Sequence, residues 1–362
     1  MESTKTTITK ETKNKIQVDY EGKLSTKERL LNKIKASNTW ITAVVNVFKF
    51  ILMLGVSFVI IYPFITKIAG SFMSPDDLAD VTVSLIPRDF NIDQYKYIIQ
   101  DNGYFFHIDD LGRQNLGAFF HTLFLSLICA AIQTMVSCLV GYGIAKFKFK
   151  GNVLVMGAVV VTMIIPHSAL QLAFRQHFIS FDIAHVMSTG NMGIIQMLTG
   201  GKNIELINTY WPFIIMSLGG IAFKNGLYIY MMRQFFKGVP DELEESAYVD
   251  GSGTFRTFVQ IILPLSVPMM ITIFLFSFSW QWTDQFYTNL FFEGADAPWT
   301  MPKIVSLPTS LNILYTGHPV LGMFTTVVEN TASLMIILPL VIMYLFCQKY
   351  LVQGIERSGL VG

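Results

Sequence analysis

The stretch Gly238-Val-Pro-Asp-Glu-Leu-Glu-Glu-Ser-Ala-Tyr-Val-Asp-Gly251, then Ser252-Gly-Thr-Phe-Arg-Thr-Phe-Val-Gln-Ile261-Ile-Leu263-Pro264, then Leu265-Ser-Val-Pro268, is a long polar insert between two strongly apolar segments. It is also built to fold. Pro240 suits the first turn of a helix. Asp241, Glu242, Glu244 and Glu245 crowd that turn, where the helix dipole favours negative charge. Val239, Leu243 and Ala247 recur at i, i+4, i+8 and share a face. Gly251 and Gly253 bracket a turn, with Ser252 placed to cap a second helix. Phe255, Phe258, Val259 and Ile262 then recur at helical spacing. Pro264 and Pro268 are expected to end or kink that second helix. Two short helices meeting at a glycine turn, at the mouth of a membrane span, are the expectation, with Gly251 at positive φ.

The same residues carry a resemblance. Glu245-Ser246-Ala247, then Gly251, Ile261 and Leu263-Pro264, match the spacing of the EAA motif, EAA-x3-G-x9-I-x-LP, with Ser246 in place of one alanine. That motif marks the permease subunits of ABC importers. The resemblance implies a cytoplasmic coupling helix that docks on a separate ATPase, with Glu245, Ser246, Ala247, Asp250, Gly251, Ile261, Leu263 and Pro264 as the coupling residues.

Composition agrees with a membrane protein. Apolar residues make up 52% and charged residues 14%, with a mean hydropathy of +0.48; a soluble domain carries about a quarter charged residues. A net charge of +1 gives no reason to expect nucleic acid. Cys129, Cys138 and Cys347 all lie in apolar segments and imply neither a disulfide framework nor a metal site. No cleavable signal peptide is expected, since the first apolar run begins near Trp40. Residues 1–40 read as a polar, flexible cytoplasmic tail and 41–362 as one permease domain without internal repeats. Six spans of bilayer length are expected at about 48–68, 116–145, 153–173, 210–232, 267–291 and 332–350. Pro166 and Pro339 are kinks that packed helices tolerate.

Loop charge orients the bundle. The tail carries nine Lys/Arg, and Lys146, Lys148, Lys150, Arg233, Lys237, Arg256, Lys349 and Arg357 fall on the same side. The loop at 69–115 carries eight acids against three bases. Positive charge marks the cytoplasmic face, so both termini and the EAA loop are expected there. The fold class is therefore an all-α membrane protein with six transmembrane helices, N-in and C-in, with the coupling helix between spans four and five. The resemblance implies a multi-pass protein of the bacterial cell membrane, in contact with lipid. The loop at about 174–208 is long; its His177 and His185 carry no weight as metal ligands.

More of the chain resembles the carbohydrate-uptake branch of these permeases, related to the maltose and glycerol-phosphate systems. Tyr62-Pro63, Ser71-Phe72 and Asp76, Leu85-Ile86-Pro87 with Tyr95, Asn208-Thr209-Tyr210-Trp211, Arg233-Gln-Phe-Phe236 and Gln348-Lys-Tyr-Leu-Val-Gln-Gly354 carry that likeness, and Val361-Gly362 closes the chain where the branch often ends in Lys-Gly. His121-Thr122, Trp282-Thr283-Asp284 and the long loop depart from the branch pattern. The resemblance implies a second homologous permease, an ATPase dimer holding ATP and magnesium, and an extracytoplasmic solute-binding protein.

No phosphate-cradling loop is present: Gly201-Lys202 is followed by Asn203, and Gln196 stands where the first glycine would be. This chain is not expected to be an enzyme or to bind a cofactor. For the cargo, Trp280, Asp284 and Tyr287 lie at i, i+4, i+7 and are expected to share one helical face. A ring can pack on a sugar while a carboxylate meets its hydroxyls. An outer aromatic belt with a surface aspartate is the alternative. Lys224 either lines the pathway, pairs with Asp284, or marks a packing contact. A permease for another solute such as a polyol phosphate stays open. A secondary transporter is less well supported, because no inverted repeat is visible; a membrane enzyme would need clustered histidines or carboxylates within its spans.

Overall fold

The computed structural model describes residues 37–108, 114–182, 204–294, 297–305 and 319–357, with Gly193, Ile194 and Met197. The tail expected at 1–36 and the loop residues His185, Gly190, Gly200 and Gly201 lie outside them, as does the end at Val361-Gly362. The chain divides into two compact units, 1–65 and 66–362. The first unit holds most of α1 (Ser37–Gly70), a helix whose composition suits lipid along its length.

In the second unit, α2 (Pro75–Ala79) and α3 (Asp93–Gln100) lead to an antiparallel ribbon of β1 (Phe106–Ile108) and β2 (Gln114–Leu116), registered with Phe106 opposite Leu116. This ribbon is a departure from an all-helical chain. Ser74 caps α2, accepting from the Asp77 amide, and the buried Asp77 carboxylate accepts from the amides of Arg88 and Asp89. Phe72 stacks on Phe90 and Tyr95, and the Ser71 and Tyr95 hydroxyls are 2.8 Å apart. Ser71 and Phe72 thus hold Tyr95, while Leu85 and Ile86 are exposed.

The spine of the unit is α4 (Ala118–Lys146), which packs against α7 (Trp211–Leu218), α8 (Asn225–Lys237) and α11 (Leu263–Trp282). Its side chains enter four apolar cores: Ala118 and Ala130 beside Trp282, Leu125 and Cys129 beside Phe213 and Phe291, Cys138 and Tyr142 beside Phe236 and Ile262, and Ile144 beside Val159 and Ile229. Gly141 allows a close approach to α8; a Cβ there would lie 2.6 Å from that of Met232.

Four described helices are long and apolar enough to cross a membrane: Trp40–Gly70, Ala118–Lys146, Thr254–Trp282 and Thr325–Gln353, the last within α13 (Pro319–Arg357). Over the third and fourth expected spans no described helix is continuous, and of the two helix pairs found there the pair over the third alone is apolar and long enough together to cross. The third is α5 (Asn152–Ile164) and α6 (His167–Ile179), bent by 101° rather than kinked. Pro166 lacks an N–H and forces Ile165 to an extended ψ of 120°, which ends α5. The fourth is α7 and α8, parted by Gly219–Lys224, with Gly220 at φ +70 and Lys224 at φ +65. The fifth ends at Trp282 and resumes as α12 (Phe286–Phe291).

Pro264, expected to end or kink its helix, does not end it. After α9 (Glu242–Val249), α10 (Thr254–Thr257), a π-helical turn at Phe258–Ile262 and α11 run on continuously. The Leu263 amide donates to the Phe258 carbonyl, five residues back. That wider turn relieves the crowding a proline ring meets against the carbonyl four residues earlier.

Candidate functional site

Two regions draw the sequence's candidate residues together: the glycine-turn loop and a cavity between broken helices.

In the loop, α9 is closed by a Schellman motif: the Gly251 amide donates to Tyr248 O at 3.0 Å and the Ser252 amide to Ala247 O at 2.9 Å. Gly251 stands at φ +82, with open space where a Cβ would point. Ser252 therefore closes the first helix and does not cap the second; Gly253 takes that place without a side-chain bond. The shared face is also corrected. Val239 and Ala247 are buried, but Leu243 is 39% exposed, because α9 starts only at Glu242 and Val239 lies outside its periodicity. Glu244 turns inward instead. Glu245, Ser246 and Asp250 face outward with Tyr248 and with Val249, which is 88% exposed; Phe255 is 79% exposed. Ile261 and Leu263 pack on the core of Tyr142, Phe236, Phe258 and Ile262, while Pro264 is exposed.

Tyr142 and Lys146 are the functional candidates that the sequence hid. The Tyr142 hydroxyl donates to Glu244 Oε1 at 2.6 Å. Lys146 Nζ donates to Val239 O at 2.6 Å and Asp241 Oδ1 at 2.5 Å, with Glu244 Oε2 at 3.8 Å. The Lys146 side chain is 7% exposed, so it is a buried anchor as well as a loop charge. Its ammonium holds the Asp241 carboxyl below the usual range, first by hydrogen bonding and then by charge. Lys146 was visible only as a basic loop residue, and Tyr142 only as one aromatic in an apolar run.

The cavity, of about 180 Å³, is lined by Gln133, Phe223, Ser277, Trp280, Asp284 and Tyr287 among others. Three helix breaks meet there. His167, at the start of α6, bonds the Tyr287 hydroxyl and lies 5.1 Å from the Phe223 ring. Phe223, before α8, lies 5.2 Å from Trp280. Asp284 sits in the break between α11 and α12. Trp280, Asp284 and Tyr287 thus come together, but not on one helical face, because the helix stops at Trp282. Both Asp284 oxygens are used: Oδ1 accepts from the Tyr287 amide at 3.2 Å and Oδ2 from Thr288 at 3.0 Å, capping α12. Lys224 Nζ lies 5.1 Å from the Phe223 ring centre and 5.3 Å from that of Trp280. Among the described residues it therefore meets aromatic faces, while Asp284 is occupied by backbone amides. Gln133, buried on α4, ties the cavity wall: its amide donates to Ser217 Oγ at 3.1 Å and its carbonyl accepts from Ser277 Oγ at 2.8 Å.

Within the Trp282-Thr283-Asp284 sequence Trp282 is architectural, while Thr283 and Asp284 line the cavity. Trp282 is fully buried and its Nε1 donates to Ile336 O at 2.9 Å, fixing α11 to α13. Thr122, beside His121, accepts from the Met301 amide at 2.9 Å. Among the described residues no group of three His, Cys, Asp or Glu is arranged to hold a metal.

A helical unit with long apolar helices and a motif-bearing loop defines a transport permease. Residues 133–357 match the binding-protein-dependent transport system inner membrane component family, and the chain belongs to it. It is a multi-pass cell membrane protein and an ABC transporter permease. The relatives fit the carbohydrate-uptake resemblance. The Bacillus subtilis (strain 168) protein LplC is 26% identical over 330 residues, covering 90% of this chain and 97% of its own. The polygalacturonan/rhamnogalacturonan permease YtcP of the same organism is 25% identical, covering 87% and 97%. The maltodextrin permease MalD of Streptococcus pneumoniae (strain ATCC BAA-255 / R6) is 25% identical, covering 86% and 93%. In fold, the chain is similar to a crystal structure of a bacterial ABC transporter involved in the import of the acidic polysaccharide alginate. The TM-score is 0.56 at 20% identity, over 87% of this chain and 98% of that one.

Proposed function

We propose that this chain is a permease subunit of a binding-protein-dependent importer that passes a sugar or oligosaccharide through the cavity at Trp280, driven by ATP hydrolysis on a separate subunit. The observation that carries the coupling half is the outward face of α9 and α10. Glu245, Tyr248, Val249 and Phe255 form an exposed acidic and apolar surface on a helix held rigidly from behind. Exposed apolar residues grouped on a polar loop suit a protein partner. That partner is the ATPase dimer, which holds ATP and magnesium. A second homologous permease and an extracytoplasmic binding protein complete the assembly; the alginate transporter has been crystallised with a periplasmic protein carrying an alginate pentasaccharide.

In this reading the tail at 1–40 and both termini are cytoplasmic, 41–362 is the permease domain, and the six membrane crossings include two made of broken helices. Breaks in spans are tolerated where they line a cavity, and they are where transporters hold substrates. The aromatic faces of Trp280 and Phe223 suit a sugar ring, and Gln133 and Tyr287 offer hydrogen bonds to hydroxyls. The names of the relatives support a carbohydrate cargo. Val249→Arg with Phe255→Arg should abolish co-purification of the co-expressed ATPase while the chain still reaches the membrane. Undiminished co-purification would remove this face from the docking surface.

A further inference from the structure

The buried polar groups behind α9 are unusual for a junction that apolar packing alone could close. Glu244 and the Lys146 side chain are both almost fully removed from solvent, and each is fully engaged. Desolvating such a pair costs about as much as the pair returns, and an apolar substitute holds as tightly. What a hydrogen-bonded pair adds is direction: it fixes one register of α9 against α4.

The other end of the same helix reaches the cavity. Gln133 and Lys146 both lie on α4, about 20 Å apart along its axis at roughly 1.5 Å per residue. Between them Ser137 Oγ donates to Asn225 Oδ1, both residues being fully buried. Gln133 then holds Ser277 on α11 and Ser217 on α7, beside the cavity wall. A polar seam therefore runs along α4 from the loop to the cavity, through otherwise apolar cores.

Resting on the coupling reading above, we infer that Tyr142 and Lys146 are positioning residues that fasten α9 to α4, so that displacement of α9 by the ATPase moves α4 and reshapes the cavity through Gln133. The link is short and charge-assisted, which makes it stiff compared with apolar contacts that slide. Movement of α9 without α4 would break the Tyr142–Glu244 bond and the Lys146–Asp241 pair together and leave the buried Glu244 carboxylate unpaired.

The test uses the whole complex with its ATPase, with Cys129, Cys138 and Cys347 replaced by alanine and a Thr283→Cys reporter on the cavity wall. Labelling by an impermeant maleimide is measured with and without ATP, beside ATP hydrolysis. The parent complex should show an ATP-dependent difference in labelling rate. Tyr142→Phe with Lys146→Met should cut that difference about tenfold while hydrolysis continues, since a lost charge-assisted bond is worth roughly one decade in an equilibrium. Lys146→Arg, which keeps charge and donors, should retain it; a loss there equal to that of Lys146→Met would reduce Lys146 to packing. A full difference in the double variant overturns the inference. If Gly251→Val loses the difference while the double variant keeps it, only the α4 link fails; if Gly251→Val also keeps it, or the parent shows none, the coupling reading fails with it. Should the double variant not accumulate, Tyr142→Phe alone, which removes one hydroxyl, carries the same comparison.

Discussion

Gly251 stands at φ +82 with nothing within 4 Å of the place a Cβ would occupy. A side chain there meets no neighbour, so its cost falls on the backbone, about 1 kcal/mol or more for an L-residue in the left-handed region. Aspartate tolerates that region better than a β-branched residue does. Gly251→Val should therefore disturb the Schellman closure most while leaving the apolar cores intact. Asp284 lends itself to a similar separation. Because its two oxygens cap α12, Asp284→Ala should lower stability by about 1 kcal/mol, whereas Asp284→Asn keeps a good cap. Thermal unfolding of the detergent-purified chain checks this, and equal loss in both variants would contradict the capping role. Uptake by the Asp284→Asn variant then reports what the charge itself does for cargo.

At the scale of elements, α9 and α11 behave differently. The Asp241–Lys146 pair ties the start of α9 to α4. Since the Asp241 carboxyl is held below its ordinary value of 3.8, its contribution is fully present above that value and is lost as pH falls through the lowered one. Hydrogen-exchange protection over Glu242–Val249 should stay level from neutral pH down to about 4 and drop only below it. Loss of protection already near pH 6 would contradict the pair. Along α11, Trp282→Phe removes the bond to Ile336 O and should cost about 1 kcal/mol or more in the same unfolding assay. An unchanged midpoint would mean that the bond holds nothing.

The same elements divide into those legible in the sequence and those hidden from it. Helical spacing and caps are local, so the α9 helix and the Gly251 turn were readable from Pro240 to Gly251. The long apolar runs of α4 and α13 were readable for the same reason. The breaks at Gly219–Lys224 and Thr283–Gln285 were not, because hydropathy averages over a turn and reports an unbroken span, and Pro166 marked a kink but not a bend of 101°. Pro264 misled in the other direction: a π-helical turn absorbed it. The face drawn through Trp280, Asp284 and Tyr287 assumed a continuous helix, yet all three line the cavity across the break between α11 and α12. Tyr142, Lys146 and Gln133 acquire meaning only from partners about 80 to 150 positions away in the chain, which no window of sequence shows.

On the scale of the whole molecule, one helix joins a loop to a cavity. The orientation of the chain is checked by Ser252→Cys in a background without native cysteines. An impermeant thiol reagent should leave that residue unlabelled in intact cells and label it in inverted vesicles. Labelling from outside would reverse the topology. The central claim, that the loop transmits ATP hydrolysis to transport, is tested most directly by measuring uptake of the binding protein's sugar beside ATP hydrolysis in proteoliposomes holding the complete complex, with the native chain and with Gly251→Val. The expected result is that Gly251→Val assembles with the ATPase and lets it hydrolyse ATP, but that sugar moved per ATP falls at least about tenfold, as loss of a coupling free energy of roughly 1.4 kcal/mol or more requires. Native uptake per ATP in Gly251→Val would contradict it.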